Sequence, residues 1–218
     1  PPLVSGHEFA GIVVEVGSDV TSVKVGDRVT AEPQYGCGDC PQCRIGRYNI
    51  CKNKKILGAT YWSGSFGEYI VVPEKTVVHL GDDVSFEEGA LIEPIAVGMH
   101  AVRERDVSIG QNILIIGAGT IGLGVLSAKI CNPSKIIVAD VVDYNLEMAR
   151  ELGCEYTINS MKENLEAEVK KLTNGEGVDI TFLAFGNAPV VESASKCTKE
   201  GGVISEDRKS TRLNSSHT

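Results

Sequence analysis

The chain has 218 residues, of which 42% are apolar and 23% charged, and its formal net charge at pH 7 is -8. This balance is typical of a globular protein with one large domain or two small ones, and the acidic charge argues against nucleic acid or an anionic membrane as the main partner. The longest apolar run, residues 113–126, is interrupted by glycines and is too short to cross a bilayer. We therefore expect no nucleic-acid partner and no membrane partner.

The predicted elements begin with a β-rich domain over residues 1–94. Short apolar runs bounded by glycine and aspartate predict four strands, at residues 11–16, 23–29, 67–72 and 76–80. Residues 33–60, rich in glycine, proline and cysteine, are predicted to form a long loop. Ser85-Phe-Glu-Glu88 is a capping box that opens a helical region, and we expect Pro94 to interrupt it.

From residue 111 onward strands and helices alternate, which predicts an α/β domain over residues 95–206. The predicted strands are 112–116, 135–139, 178–185 and one that starts at 203. One predicted helix runs from the glycine-rich turn to about residue 130, and three more cover residues 143–153, 161–172 and 188–198. Such alternation implies a doubly wound parallel sheet with helices on both faces.

The two ends of the chain lead to separate expectations. The start, Pro1-Pro2-Leu3, has neither an initiator methionine nor the basic and apolar segments of a signal peptide, so we expect residues to be missing upstream. Residues 207–218 are polar and aperiodic, and they follow what looks like the start of a buried strand. This run resembles the in-frame translation of a common sequencing adapter, which predicts a non-native tail. A natural disordered tail is the alternative.

Four cysteines lie close together in the pattern C-x2-C-x2-C-x7-C: Cys37, Cys40, Cys43 and Cys51. Clustered cysteines in a chain without a signal peptide indicate a metal site and a reducing, cytoplasmic compartment rather than disulfides. Four thiolates satisfy a tetrahedral zinc ion with no open position, so the spacing predicts a structural zinc lobe over residues 36–52. An iron–sulfur cluster is the rival, but the bacterial ferredoxin pattern has three residues before its last cysteine and then a proline, whereas Lys52 follows Cys51 here.

A glycine-rich turn follows the predicted strand 112–116 and opens a helix. It reads Gly117-Ala-Gly119-Thr120-Ile121-Gly122, and Asp140 stands at the end of the next strand. In this context the pattern predicts a dinucleotide-binding loop, with the pyrophosphate near the helix N-terminus. Asp140 can bind both ribose hydroxyls and repels a 2′-phosphate, which favours NAD over NADP. The alternative is a glycine-rich turn without a cofactor.

Two further segments carry candidate metal ligands. In Gly6-His7-Glu8 an imidazole and a carboxylate can both face a metal at a bend, although such a pair alone is more often ordinary surface chemistry. Glu93 stands before Pro94 in an apolar stretch. It could line a metal pocket, or it could be a helix-start carboxylate favoured by the helix dipole.

Taken together and in this order, these motifs resemble the zinc-containing medium-chain dehydrogenases. Residues 86–101 are similar to the sorbitol (iditol) dehydrogenase branch, with butanediol and threonine dehydrogenases as near relatives. The resemblance implies a partial GroES-like catalytic domain followed by a partial Rossmann domain. It implies that His7 is a catalytic zinc ligand, that Glu8 is the third ligand, and that Glu93 contacts the zinc-bound water or the substrate, or exchanges with Glu8. The family's first ligand is a cysteine upstream of His7, outside this chain.

The implied activity is zinc-dependent oxidation of a secondary alcohol or polyol to a ketone, with hydride transfer to NAD. Threonine 3-dehydrogenase and butanediol dehydrogenase activities are alternatives. A non-catalytic, zinc-stabilised dinucleotide-binding protein is an alternative of another class. We expect a small-molecule alcohol as partner and a homo-oligomer at full length. Because a ligand and the closing strands lie outside it, the chain by itself is expected to be inactive.

Overall fold

A computed structural model describes residues 4–60 and 62–206 of the chain. The chain divides into two compact units, Pro1–Glu93 and Pro94–Thr218, called unit 1 and unit 2 below. The predicted non-native tail, residues 207–218, lies outside the described residues. None of the described helices combines the length and the apolar character needed to span a membrane.

Unit 1 is built from short antiparallel strands. In chain order they are β1 (Gly11–Ile12), β2 (Arg28–Ala31), β3 (Gln34–Tyr35), β4 (Lys55–Ile56) and β5 (Val77–His79). One sheet has the order β1-β2-β5, and β3 pairs with β4 in a second. Between β3 and β4 lie a short helix α1 (Pro41–Arg44) and a 3-10 turn, Tyr48–Ile50, and a second 3-10 turn, Glu74–Thr76, precedes β5.

The predicted strand at residues 67–72 is wrong, because no described strand covers these residues. Tyr69 and Val71 are 74% and 85% exposed. The backbone carbonyl of Val71 accepts a hydrogen bond of 2.8 Å from the indole Nε1 of Trp62 instead of one from a neighbouring strand. Alternating apolar residues form a strand only where a partner strand satisfies the backbone, and the described part of unit 1 offers none to this segment.

The capping box at Ser85 opens helix α2 (Phe86–Glu104), as predicted. The Ser85 hydroxyl accepts from the amide of Glu88 at 3.1 Å, and the Glu88 carboxylate accepts from the amide of Ser85 at 2.7 Å. The prediction that Pro94 interrupts the helix is wrong, since α2 runs through it. Proline removes one backbone hydrogen bond, but Pro94 is buried and Gly98, one turn later, packs directly on the backbone of Gly124. Tertiary packing therefore keeps the helix continuous.

Unit 2 continues with strands and helices in alternation. Its elements are β6 (Asn112–Ile116), α3 (Thr120–Val125) with a 3-10 extension over Leu126–Cys131, β7 (Lys135–Asp140), α4 (Asp143–Glu151), β8 (Tyr156–Asn159), α5 (Leu165–Leu172), β9 (Val178–Leu183), α6 (Ala188–Cys197) and β10 (Thr198–Glu206). All five strands are parallel in the order β10-β9-β6-β7-β8. The predicted doubly wound fold is confirmed.

Two boundaries in unit 2 differ from prediction for local reasons. Helix α5 begins at Leu165 rather than 161, because the side chain of Asn164 accepts the amide of Ala167 at 3.0 Å and caps the helix there. Strand β8, which the sequence pattern did not indicate, has only four residues and ends on a buried polar Asn159. Its edge position next to β7 comes from tertiary pairing rather than from a local pattern.

The core of unit 2 lies on both faces of the sheet. Along β6, Ile113 and Ile115 pack into one cluster with residues of α3 and α4, whereas Leu114 and Ile116 pack into the other with residues of α5 and α6. Successive side chains of a strand point to opposite faces of the sheet, so alternate residues of β6 pack against different layers of helices. After β6 the chain builds β7 and β8 on one side and then crosses to β9 and β10 on the other. This reversal opens a crevice at the carboxyl ends of β6 and β9.

Candidate metal and dinucleotide sites

The four clustered cysteines converge on one point in unit 1. Their sulfur atoms all lie within 4.8 Å of one another. The Sγ–Sγ distances are 3.6 Å for Cys37–Cys51, 3.7 Å for Cys40–Cys51 and 4.0 Å for Cys37–Cys43. Four sulfurs bound tetrahedrally at about 2.3 Å from zinc are about 3.8 Å apart. The spacing therefore fits a structural zinc ion.

Helix α1 and the 3-10 turn after it position these thiols. Pro41 starts α1 directly after Cys40, and the amide of Gly46 donates to the carbonyl of Cys43 at 3.0 Å. The amide of Cys51 then donates to the carbonyl of Tyr48 at 3.0 Å. Two tight turns thus aim side chains from different points of the loop at one centre. A metal ion suits such a segment, because it has little apolar core of its own.

Two thiols of the cluster have pKa values shifted in opposite directions, since a hydrogen bond from the backbone of Cys37 is the largest cause that lowers the pKa of Cys51. Partial burial is the largest cause that raises the pKa of Cys43 to about 12, and hydrogen bonds with neighbouring thiols act in the same direction. Four thiolates at this spacing repel one another, and a dication at the centre offsets that repulsion. Because zinc binds thiolates, its uptake releases protons and its affinity falls as the pH is lowered.

His7, Glu8 and Glu93 form a second cluster in unit 1. One donor atom from each lies within 4.8 Å of those of the other two, and His7 Nε2 is 3.9 Å from Glu93 Oε1. Nitrogen and oxygen ligands bind zinc at about 2.0–2.2 Å, so two of them on one ion are at most about 4 Å apart. The donors are of the right type, and the pair of His7 and Glu93 lies just within this limit. Glu8 has a donor within 4.8 Å of both, and it is exposed whereas His7 and Glu93 are half-buried.

The backbone around Gly6 holds this cluster in place. The amides of Gly64, Ser65 and Phe66 donate to the carbonyls of Val4, Gly6 and Ser5 at 2.7, 3.0 and 3.0 Å, so two distant segments lie side by side. Gly6 has a φ of +95°, and a Cβ there would overlap Ser65 and Phe66. Glycine is therefore required immediately before His7. The capping box of α2 fixes the helix that carries Glu93.

The glycine-rich turn of unit 2 lies at the crevice between β6 and β9. A cavity of about 340 Å³ is lined by Gly117, Gly119, Thr120, Ile121, Gly122, Asp140, Ala184 and Phe185. The amide of Gly117 donates to the carbonyl of Ala139 at 2.8 Å, which ties the turn to the end of β7. All six residues predicted for dinucleotide binding line this one cavity.

Sequence reasoning missed Ala184 and Phe185, which follow β9 and line the same cavity. The signal that would have found them is topological: β9 pairs with β6, so residues after both strands meet at the same edge. The motif also gives no sign that the Asp140 carboxylate accepts hydrogen bonds from the protein backbone. Its carboxylate accepts the amide of Ala118, within the glycine turn, at 2.6 Å and the amide of Val142 at 2.8 Å.

Two family models match this chain, one in each unit. Residues 1–82 match the family model described as the alcohol dehydrogenase GroES-like domain, and residues 120–206 match the zinc-binding dehydrogenase model. Sorbitol dehydrogenase of Bacillus subtilis (strain 168) is 39% identical over 93% of this chain and 58% of that enzyme. L-threonine 3-dehydrogenase of Rhizobium johnstonii is 38% identical over 93% of this chain and 59% of that enzyme.

A solved structure shows the same fold with a cofactor. A zinc-binding dehydrogenase from Sinorhizobium meliloti 1021, bound to NADP, is 33% identical and has a TM-score of 0.87 over 94% of this chain and 61% of that one. The chain thus spans about three fifths of the length of these relatives. Both family models match in the expected order, and the geometry of the cysteine cluster suits zinc. The chain belongs to the zinc-containing medium-chain alcohol dehydrogenase family.

Proposed function

We propose that the protein containing this chain oxidises a secondary alcohol or a polyol to a ketone and transfers the hydride to NAD. The observation that carries the proposal is the convergence of His7, Glu8 and Glu93, since three such donors from distant segments can hold one zinc ion and leave a position for a substrate. When bound there, zinc supplies a Lewis acid that lowers the pKa of a substrate hydroxyl.

The side chains of unit 1 have different roles at that ion, as metal ligands or as hydrogen-bond acceptors for the substrate. His7 offers a ring nitrogen to the metal. Either Glu8 or Glu93 serves as a further ligand, and the other carboxylate accepts a hydrogen bond from the substrate hydroxyl. The exposed position of Glu8 and the half-buried position of Glu93 support two different roles for them.

For the cofactor we propose NAD rather than NADP. Asp140 lines the dinucleotide cavity, and among the described residues none of the others that line it carries a positive charge. A carboxylate at this place accepts hydrogen bonds from ribose hydroxyls and repels a 2′-phosphate. The related structure with bound NADP makes the measured preference of this chain a sharp test of the role of Asp140.

The substrate is proposed only as a class. A sorbitol dehydrogenase and a threonine dehydrogenase match the chain at 39% and 38% identity, so similarity does not separate a polyol from an amino alcohol. Butanediol dehydrogenase activity is a further candidate of the same class. A non-catalytic, zinc-stabilised dinucleotide-binding protein is less well supported, because it has no need for the His7, Glu8 and Glu93 cluster.

The test uses a full-length version of the protein. His7→Ala is expected to abolish NAD reduction with secondary alcohols and to lower the zinc content from about two ions per chain to about one. NADH binding should survive, because the dinucleotide cavity lies in unit 2. His79→Ala is the matched control, since His79 is 52% exposed and pairs with Asp27. Turnover that persists in His7→Ala would show that the assignment of the catalytic metal is wrong.

A further inference from the structure

Unit 1 carries a basic segment, residues 44–55, in a chain whose net charge is -8. Five of the eight lysines and arginines of unit 1 lie in this segment, which contains no aspartate or glutamate. The five cations are Arg44, Arg47, Lys52, Lys54 and Lys55. Within the described residues, Arg44, Arg47 and Lys52 form no ion pair, so their charge faces outward.

Apolar side chains lie on the surface among these cations. Ile45 is 68% exposed, Ile50 is 47% exposed, and Tyr48 between them is 39% exposed. The backbone holds them in a compact turn, because the amide of Arg47 donates to the carbonyl of Gln42 at 2.8 Å and the amide of Ile50 to the carbonyl of Arg47 at 3.2 Å. An exposed group of isoleucine, tyrosine and arginine is typical of a surface that contacts another protein.

An acidic segment of unit 1, residues 82–88, has the opposite charge. It contains no lysine or arginine and has four exposed carboxylates, those of Asp82, Asp83, Glu87 and Glu88. Arg28 donates to three backbone carbonyls of this turn, and its guanidinium lies 4.7 Å from the centre of the Phe86 ring. Arg28 therefore fixes the backbone of the segment, and none of the four carboxylates forms an ion pair in the described part of the chain.

We propose that the basic segment of one copy of this chain docks on the acidic segment of a second copy. The two segments have opposite charges, and each exposes apolar side chains, Ile45 and Ile50 in one and Phe86, 36% exposed, in the other. The opposite charges set the orientation of the contact, and the apolar side chains gain from burial. Each copy carries both surfaces, so a dimer with a two-fold axis makes the contact twice. The contact does not depend on the proposed alcohol oxidation.

The first measurement is sedimentation equilibrium of the zinc-loaded 218-residue chain. At about 100 μM protein and about 50 mM NaCl we expect a concentration-dependent dimer, since exposed ion pairs are individually weak. Raising NaCl to about 500 mM should weaken association at least about tenfold, because salt screens exposed charges. Ile45→Ser should weaken it about fivefold and leave the salt dependence unchanged. A chain that stays monomeric at low salt would overturn the proposal.

A charge exchange between the two segments tests which surfaces meet. One double variant combines Arg44→Glu with Arg47→Glu, and the other combines Asp82→Lys with Asp83→Lys. Each alone should associate at least about tenfold more weakly than the unaltered chain, because like charges then face each other. Mixed in equal amounts, the two should form a heterodimer whose dissociation constant is within about threefold of the unaltered dimer's, because both contacts are again between opposite charges.

The matched control combines Lys162→Glu with Lys171→Glu, at side chains of unit 2 that are 64% and 74% exposed. It changes the net charge as much as the arginine variant does and should leave association unchanged. Thermal melts and zinc content check that each variant is folded. Folded variants that do not associate when mixed, or a control that weakens the dimer equally, would overturn the proposal. So would a monomeric chain whose basic segment binds labelled polyglutamate or single-stranded RNA, since the segment then serves another polyanion.

Discussion

The carboxylate of Glu74 connects two segments of unit 1 that are distant in the sequence. One oxygen accepts the amides of Thr21 and Ser22 at 2.8 and 2.6 Å and the Ser22 hydroxyl at 2.7 Å. These hydrogen bonds favour the ionised form and lower the pKa of Glu74 from 4.5 to about 2, with the Ser22 hydroxyl as the largest cause. The loop at Thr21 and the turn before β5 therefore depend on a charged group.

This contact predicts a pH-dependent stability. The folded pKa is depressed, so the stabilisation from Glu74 is fully present above 4.5 and is lost as the pH falls toward about 2. Glu74→Gln should lower the thermal midpoint at pH 7, and the difference from the unaltered chain should narrow as the pH drops below 4.5. Thermal melts between pH 7 and 3 measure this. A difference that stays constant over that range would show that the charge is unimportant.

Two glycines of the dinucleotide turn are expected to respond differently to the same substitution. At Gly122 a Cβ would overlap the carbonyl oxygen of Gly117, so Gly122→Ala should destabilise unit 2 by roughly 1–3 kcal/mol. At Gly119 a Cβ meets nothing within 4 Å, and its φ of -75° suits alanine. Gly119→Ala should therefore keep the thermal midpoint but weaken NADH binding, because its methyl group would take up space that we propose for the pyrophosphate.

Denaturant unfolding and NADH titration of the two variants together check this pair. Equal loss of stability in both would mean that the turn tolerates no side chain at all. Undiminished NADH binding by Gly119→Ala would place the pyrophosphate elsewhere.

Single residues also show how far prediction from sequence extends. The cysteine spacing was enough to predict a cluster, because all four thiols lie in one short loop. The proximity of His7 and Glu93 was available only through family resemblance, since it depends on the pairing of residues 4–6 with 64–66 and on the start of α2.

Among the elements, helix α2 depends on close packing after its proline. A Cβ at Gly98 would overlap backbone atoms of Gly124 and Val125. Gly98→Ala gains at most about 1 kcal/mol in helix propensity, whereas forcing two backbones apart costs roughly 1–3 kcal/mol. We expect net destabilisation of unit 2, measured as a lower midpoint in urea. Met99→Ala, at a side chain that is 48% exposed, should have little effect. A stabilised Gly98→Ala variant would contradict the packing described here.

Prediction from sequence was most accurate for strands and helices whose positions depend on burial in the core. Strands β6, β7 and β9 were identified because continuous apolar runs are buried on both faces of a parallel sheet. The segment 67–72 has a strand-like alternation, yet Val71 is 85% exposed. The missing information is the identity of the neighbour, which a local pattern does not contain.

At the scale of the whole molecule, the two units bury very different amounts of apolar surface. Among the described residues, the buried apolar side chains of unit 1 are Val29, Ala31, Cys51, Leu57 and Leu80, whereas unit 2 has two extended clusters. A unit with so small a core needs another source of stability, and the cysteine cluster supplies one when zinc is bound.

Zinc removal should therefore destabilise unit 1 selectively. Trp62 is the single tryptophan of the chain, and it lies in unit 1 in edge contact with Tyr35, so its fluorescence reports on that unit. A chelator, or Cys51→Ser, is expected to shift the fluorescence transition to lower denaturant while the helical circular dichroism, mainly from unit 2, changes less. Cys131→Ser, outside the cluster, should keep the zinc content. Coincident shifts of both signals would contradict a selective effect.

The two candidate metal clusters differ in how much of the chain each one spans, and this difference implies an order of events during biosynthesis. The thiols lie between residues 37 and 51, whereas the other cluster needs residues 7 and 93. A short loop closes with a smaller entropic cost than a long one, so a nascent chain can capture an ion at the thiols well before residue 93 has left the ribosome. During refolding with cobalt, thiolate-to-metal absorption should accordingly appear before the bands of the nitrogen- and oxygen-ligated ion. The reverse order would show that the longer loop forms first.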